Sequence, residues 1–182
     1  MLRKQNRLHI ALELVTIFSF IVIGITILTF MYYDVEMSKS YLGSLVLAIG
    51  VTELVSFLSM KDLVKLRNIP NGITAVLQMI LGVILMVINV ELPTACIIWG
   101  ICNIVFLVTK VVDAGFNLIH QPFLNIILVI LCIIETIFSI FLIANSADIQ
   151  ALNHHIVFVG VSLLIRSFIL VIEFVIHRYQ KL

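Results

Sequence analysis

Glu135 and Arg166 each lie near the middle of a long apolar run, with no other charge close by in sequence. A carboxylate or a guanidinium in such a setting needs a partner or an aqueous path, because a lone charge in hydrocarbon is costly. Arginine cannot escape by giving up its proton, since its pKa is too high. Insertion of one at a bilayer centre costs about 2.5 to 3.5 kcal/mol or more. Glu135 lies about 14 residues, roughly 21 Å, into its helix, and Arg166 about 12 residues, roughly 18 Å, before the basic end of the next. Two antiparallel neighbours with opposite charges at one depth predict a direct or water-bridged ion pair, with Ser139 or Ser162 as further hydrogen-bond partners. Two readings of that pair stay open. It is a tie fixing one helix against the next, or a binding site or proton-linked switch in which protonation of Glu135 frees Arg166 for an anion.

The elements that position these residues follow from composition. Of 182 residues, 62% are apolar and 12% charged, and the mean hydropathy is +1.23; soluble domains carry about 25% charged residues. A hydrocarbon layer needs about 20 apolar residues as a helix. Six segments meet this: Leu8–Met31, Tyr41–Met60, Ile73–Val90, Thr94–Val112, Phe123–Ala144 and Ile156–Ile176. Alternation is absent and the runs are too long for barrel strands. The connections are short, and Pro70, Pro93 and Pro122 sit where helices should start. The expected architecture is an all-α integral membrane fold, one transmembrane domain over residues 1–182 with no soluble domain. The N-terminal run is too long for a signal core and lacks a small-residue cleavage site, so it reads as a retained helix.

Orientation follows from basic residues near helix ends. Arg3, Lys4, Arg7, Lys61, Lys65, Arg67, Lys110, Arg178 and Lys181 fall on one side and only Lys39 on the other. Both termini are therefore expected in the cytoplasm. The segment Ser59–Asn68, with Lys61, Lys65 and Arg67, reads as an interfacial extension attracted to anionic lipid head groups.

A second tier of carboxylates, Glu13, Glu53 and Glu173, lies roughly 7 to 12 Å from the cytoplasmic helix ends. Basic side chains from those ends are expected to reach them as interfacial anchors, the alternative being a proton-binding vestibule. If helix 1 meets helix 6, Glu13 approaches Glu173. On the outer face, Asp148, His154 and His155 form a pH-responsive group, histidine changing charge near pH 6.5. Adjacent histidines point about 100° apart on a helix and chelate one metal poorly, so no metal is expected. Cys96, Cys102 and Cys132 fall inside helices and read as packing residues. No nucleotide loop, zincin motif or nucleophile constellation is present. Neither catalysis, a cofactor nor nucleic-acid binding is expected.

The chain also looks repetitive. Residues 18–57, 73–112 and 126–171 can be laid over one another so that Gly50, Gly100 and Gly160 coincide. Thr52, Cys102 or Ser162 follows two residues later, and Glu53 and Asn103 share the next position. Three hairpins, about 14–60, 72–112 and 122–177, then form parallel pseudo-repeats about an axis along the membrane normal. Outgoing helices with a glycine (Gly24, Gly82) and returning patterns such as AIGVTELVSF and FVGVSLLIRSF resemble the HdeD family of bacterial membrane proteins. That resemblance implies six helices, an inner-membrane location with both ends cytoplasmic, and a role in stress, acid resistance in particular. The chain departs from it in placing Arg166 inside helix 6 and in lacking a proline at the first outer turn.

Two classes of function follow. One is a membrane stress protein acting by packing and assembly, with the lipid bilayer, a homo-oligomer or another membrane subunit as its partners. The other is a small transporter or channel using Glu135 and Arg166, such as a substrate-capture subunit.

Overall fold

The computed structural model describes residues 2–33, 38–59, 69–88, 91–117 and 122–179. Six helices occur among them: α1 (Leu2–Tyr32), α2 (Lys39–Ser59), α3 (Ile69–Val87), α4 (Leu92–Asn117), α5 (Pro122–Ala144) and α6 (Ile149–Tyr179). All six contain a stretch long and apolar enough to cross a membrane. Local chemistry accounts for where several of them start. Pro70, Pro93 and Pro122 lie in first turns, where a missing N–H costs nothing. Ser38 caps α2 by accepting from the Tyr41 amide at 3.2 Å, and Asp148 caps α6 by accepting from the Gln150 amide at 2.9 Å. That second cap starts α6 seven residues before the Ile156–Ile176 run, because the polar first turns of α6 carry no hydropathy signal.

The helices form a ring in chain order, closed by α1 against α6. The most extensive contacts are α2–α3, α1–α6 and α4–α5, while α1–α2, α5–α6 and α3–α4 touch less. The tightest pairs therefore join one expected hairpin to the next instead of lying within a hairpin. Glycines explain this. A Cβ on Gly82 would stand 2.5 Å from the Leu47 amide nitrogen, and one on Gly50 would stand 2.8 Å from that of Met79. On α6, a Cβ at Gly160 would meet the Ile27 side chain at 2.9 Å, and on α4 one at Gly100 would meet Ile143 at 2.7 Å. Small residues let backbones approach where no hydrophobic force between helices is available.

The polarity is turned inside out. Phe18, Phe123, Ile137 and Phe168 point away from the bundle and are well exposed. Thr52, Gln78, Asn103, Glu135, Ser139, His155, Ser162 and Arg166 are buried. Apolar residues still surround them, with Trp99, Phe106, Leu142, Leu152 and Leu163 in one continuous cluster.

Gly82→Ala is expected to destabilise the bundle by about 1–3 kcal/mol, because the new methyl meets Leu47 backbone, which cannot rotate aside. Gly100→Ala should cost less, since its first obstacle is the Ile143 side chain. Unfolding of the two variants in mild detergent tests that order, and equal losses would contradict it.

Candidate functional site

The structure brings Glu135 and Arg166 together. Nη2 of Arg166 donates to Oε2 of Glu135 at 3.1 Å. Ser162, one turn before Arg166 on α6, donates its hydroxyl to the same carboxylate oxygen at 3.3 Å. From α4, Nδ2 of Asn103 donates to Oε1 of Glu135 at 3.3 Å and to the Ser139 hydroxyl at 3.0 Å. Ser139 in turn donates to the Glu135 backbone carbonyl at 2.9 Å, a bond one helical turn long that leaves its oxygen facing Asn103. Both carboxylate oxygens are thus occupied by donors from two neighbouring helices.

The pair is not isolated. Nη1 of Arg166 lies 3.6 Å from Oε1 of Glu53 on α2, and that same oxygen accepts from Lys110 Nζ on α4. Lys110, Glu53, Arg166 and Glu135 therefore form a chain of alternating charge from four residues on four helices. The chain is neutral in sum. Helix geometry shows how it closes. Glu135 and Arg166 stand about 20 Å from the terminal ends of α5 and α6, whereas Glu53 and Lys110 stand about 10 Å from the ends of α2 and α4. The long guanidinium stem bridges the two levels. Lys110, with 20% of its side chain exposed, is the most open member.

These contacts bear on two expectations. Glu53 lies at the anticipated depth, yet its described partners are Lys110 and Arg166 in the bundle interior instead of basic side chains at the helix ends. Lys110, expected on the basic side of the bundle, turns inward to pair with the half-buried Glu53, which shares Arg166 with Glu135. For Asn103 the sequence offers one signal, its expected equivalence to Glu53; the structure places Asn103 on Glu135 and Glu53 on Arg166.

At the opposite end the expected outer group is divided. Asp148 and His154 are exposed, while His155 is fully buried and meets Trp99 edge to face, with ring centroids 4.6 Å apart. His155 is therefore not an outer-face group. Because α6 starts at Ile149, successive residues 154 and 155 point about 100° apart, one outward and one into the core. Neither ring nitrogen of His155 has a hydrogen-bond partner among the described residues.

Glu13 and Glu173, on the packed helices α1 and α6, are close enough for their charges to interact. Lys61, Lys65, Arg67, Asp34 and Glu36 lie outside the described residues, as do the side chains of His9, His177 and Arg178. The three cysteines are free and half or wholly buried. Among the described residues no group of three or more histidine, cysteine or acidic side chains is placed to hold a metal ion.

Beside the Glu135–Arg166 pair is a cavity of about 20 Å³, lined by Gln78, Trp99, Asn103, Lys110, Ser162 and apolar side chains of α2 and α6 as well as the pair itself. Its volume suits about one water molecule. The arrangement can hold charges, pass a hydrogen bond between helices and admit a very small polar molecule. Comparison with known proteins returns no match, whether to family models, to curated proteins or to solved structures.

Removing one member of the pair should be far worse than removing both. Glu135→Ala leaves Arg166 its 3.6 Å contact with Glu53 and a weak 3.9 Å bond to Cys132 Sγ, and is expected to cost about 3–5 kcal/mol. Glu135→Leu combined with Arg166→Met should recover a large part of that loss. A double-mutant cycle of unfolding in mixed micelles measures this, and strictly additive losses would show that the pair carries no coupling.

Proposed function

We propose that the chain is a multi-pass protein of the bacterial inner membrane, of HdeD-like type, which acts without catalysis through packing and assembly within the bilayer. Its physiological setting is stress, acid stress in particular. One observation carries the packing role: two buried and two half-buried charges compensate one another across α2, α4, α5 and α6. A network with every carboxylate engaged is built to hold helices in place. The outward apolar faces of all six helices support residence in lipid, and the excess of basic residues near one set of ends supports cytoplasmic termini.

The hairpin repeat belongs to the same proposal. Gly50, Gly100 and Gly160 each face the helix with which the returning helix packs most extensively, α3, α5 and α1 respectively. The contact pattern repeats with every second helix around the ring, as three duplicated hairpins about the membrane normal would produce. The stress role is supported by the glycine and small-polar patterns that resemble the HdeD family. Lipid is the principal partner, and further copies of the chain or another membrane subunit would meet its exposed apolar faces.

A second reading, a small transporter or channel working at Glu135 and Arg166, is favoured by the cavity beside the pair. Its size restricts the cargo to something near a water molecule in this conformation, which argues against a substrate-capture subunit for a vitamin-sized molecule.

Glu135→Gln separates the readings. Loss of assembled protein from the membrane, with no ion- or solute-dependent flux in wild-type proteoliposomes, is the result expected for packing. Assembled Glu135→Gln protein that loses a flux present in the wild type would establish transport instead. Orientation is tested by cysteines placed at Lys39 and Lys61. An impermeant maleimide added to intact cells should label the first and spare the second, and the reverse pattern would overturn the assignment of termini.

A further inference from the structure

The charge network leaves two buried atoms unanswered. Oε1 of Gln78 and Nε of Arg166 are shielded from solvent and have no hydrogen-bond partner among the described residues. Both side chains line the same cavity. Gln78 is 5% exposed and comes from α3, a helix that supplies no charge to the network. The two atoms are complementary in kind, for Arg166 Nε–H can only donate and the glutamine amide oxygen can only accept. A buried donor or acceptor without a partner is costly, so both favour an occupant that answers them together.

Size and charge then narrow the occupant. About 20 Å³ admits one water-sized molecule and nothing as large as an amino acid. The surrounding charges already sum to zero, with Lys110 and Arg166 against Glu53 and Glu135. An added cation would face two fixed cations, and an added anion two fixed carboxylates. Either would leave a net charge buried in the bundle. Trp99, Val46 and Ile49 close the apolar sides, and the polar lining comes from Gln78, Asn103, Ser162 and the charged side chains. We propose that this cavity is a binding site for a single neutral molecule that both donates and accepts, water in the resting protein, which accepts from Arg166 Nε–H and donates to Gln78 Oε1. The occupant ties α3 to the four helices of the charge network. The site is independent of whether the protein packs or transports.

The test uses the full chain with ¹⁵N-labelled arginine in lipid bilayers, where solid-state NMR reads magnetisation transferred from water to arginine Nε–H groups. In the wild type the slowly exchanging Arg166 Nε–H should receive transfer, and in Gln78→Leu that transfer should fall several-fold while the signal itself persists. Val46→Ile, which fills the cavity and keeps Gln78, should lower it too, and serves as the readout if Gln78→Leu fails to assemble. Absence of transfer in the wild type, or equal transfer in assembled variants, overturns the proposal. A wild-type Arg166 resonance that moves with sodium or potassium concentration would do so as well, by assigning the cavity to a cation.

Discussion

Arg166 cannot give up its proton, and it sits where water is scarce. Much of the interior follows from that constraint. Its guanidinium reaches two carboxylates at two depths, Glu135 at 3.1 Å and Glu53 at 3.6 Å, and each of those acids is then held by a further donor. Glu135 takes Asn103 and Ser162, while Glu53 takes Lys110. A planar fork with five donors suits this double engagement in a way that an ammonium would not. Charges in a low-dielectric interior are tolerable only when paired and hydrogen-bonded, and here the pairing runs through helices that are not all neighbours in sequence. The network consequently specifies which faces of α2, α4, α5 and α6 point inward.

Close approach of the backbones is the second requirement, because short polar side chains such as Ser139, Ser162 and Asn103 bond across helices only when those helices nearly touch. Gly100 brings α4 onto α5 beside the residues through which Asn103 reaches Ser139 and Glu135. Gly50 and Gly82 press α2 against α3 at a level where Gln78 also faces inward. Glycine placement and the charge network thus act together. The first sets interhelical distance, and the second selects the rotational setting.

His155 shows what a local pattern hides. Two adjacent histidines near a helix start look alike in sequence, yet one is exposed and the other is buried edge-on to Trp99. Lys110 gives the same lesson at the other end: it belongs to the basic residues near helix ends, yet its side chain engages Glu53 and lines the interior cavity. In both cases the difference is the helix face, which depends on where the helix begins and on what it packs against.

Composition and run length were enough to determine six membrane-length helices, their approximate limits and the shared depth of Glu135 and Arg166, because hydrophobic length and rise per residue are properties of a single helix. The opposite charges of those two residues and their consecutive helices also made their meeting readable. Partners supplied by distant helices were not, and neither were the burial of His155 and the tighter packing between hairpins than within them. Those depend on rotation about each helix axis and on the order of the ring, and only contacts among all six helices decide them.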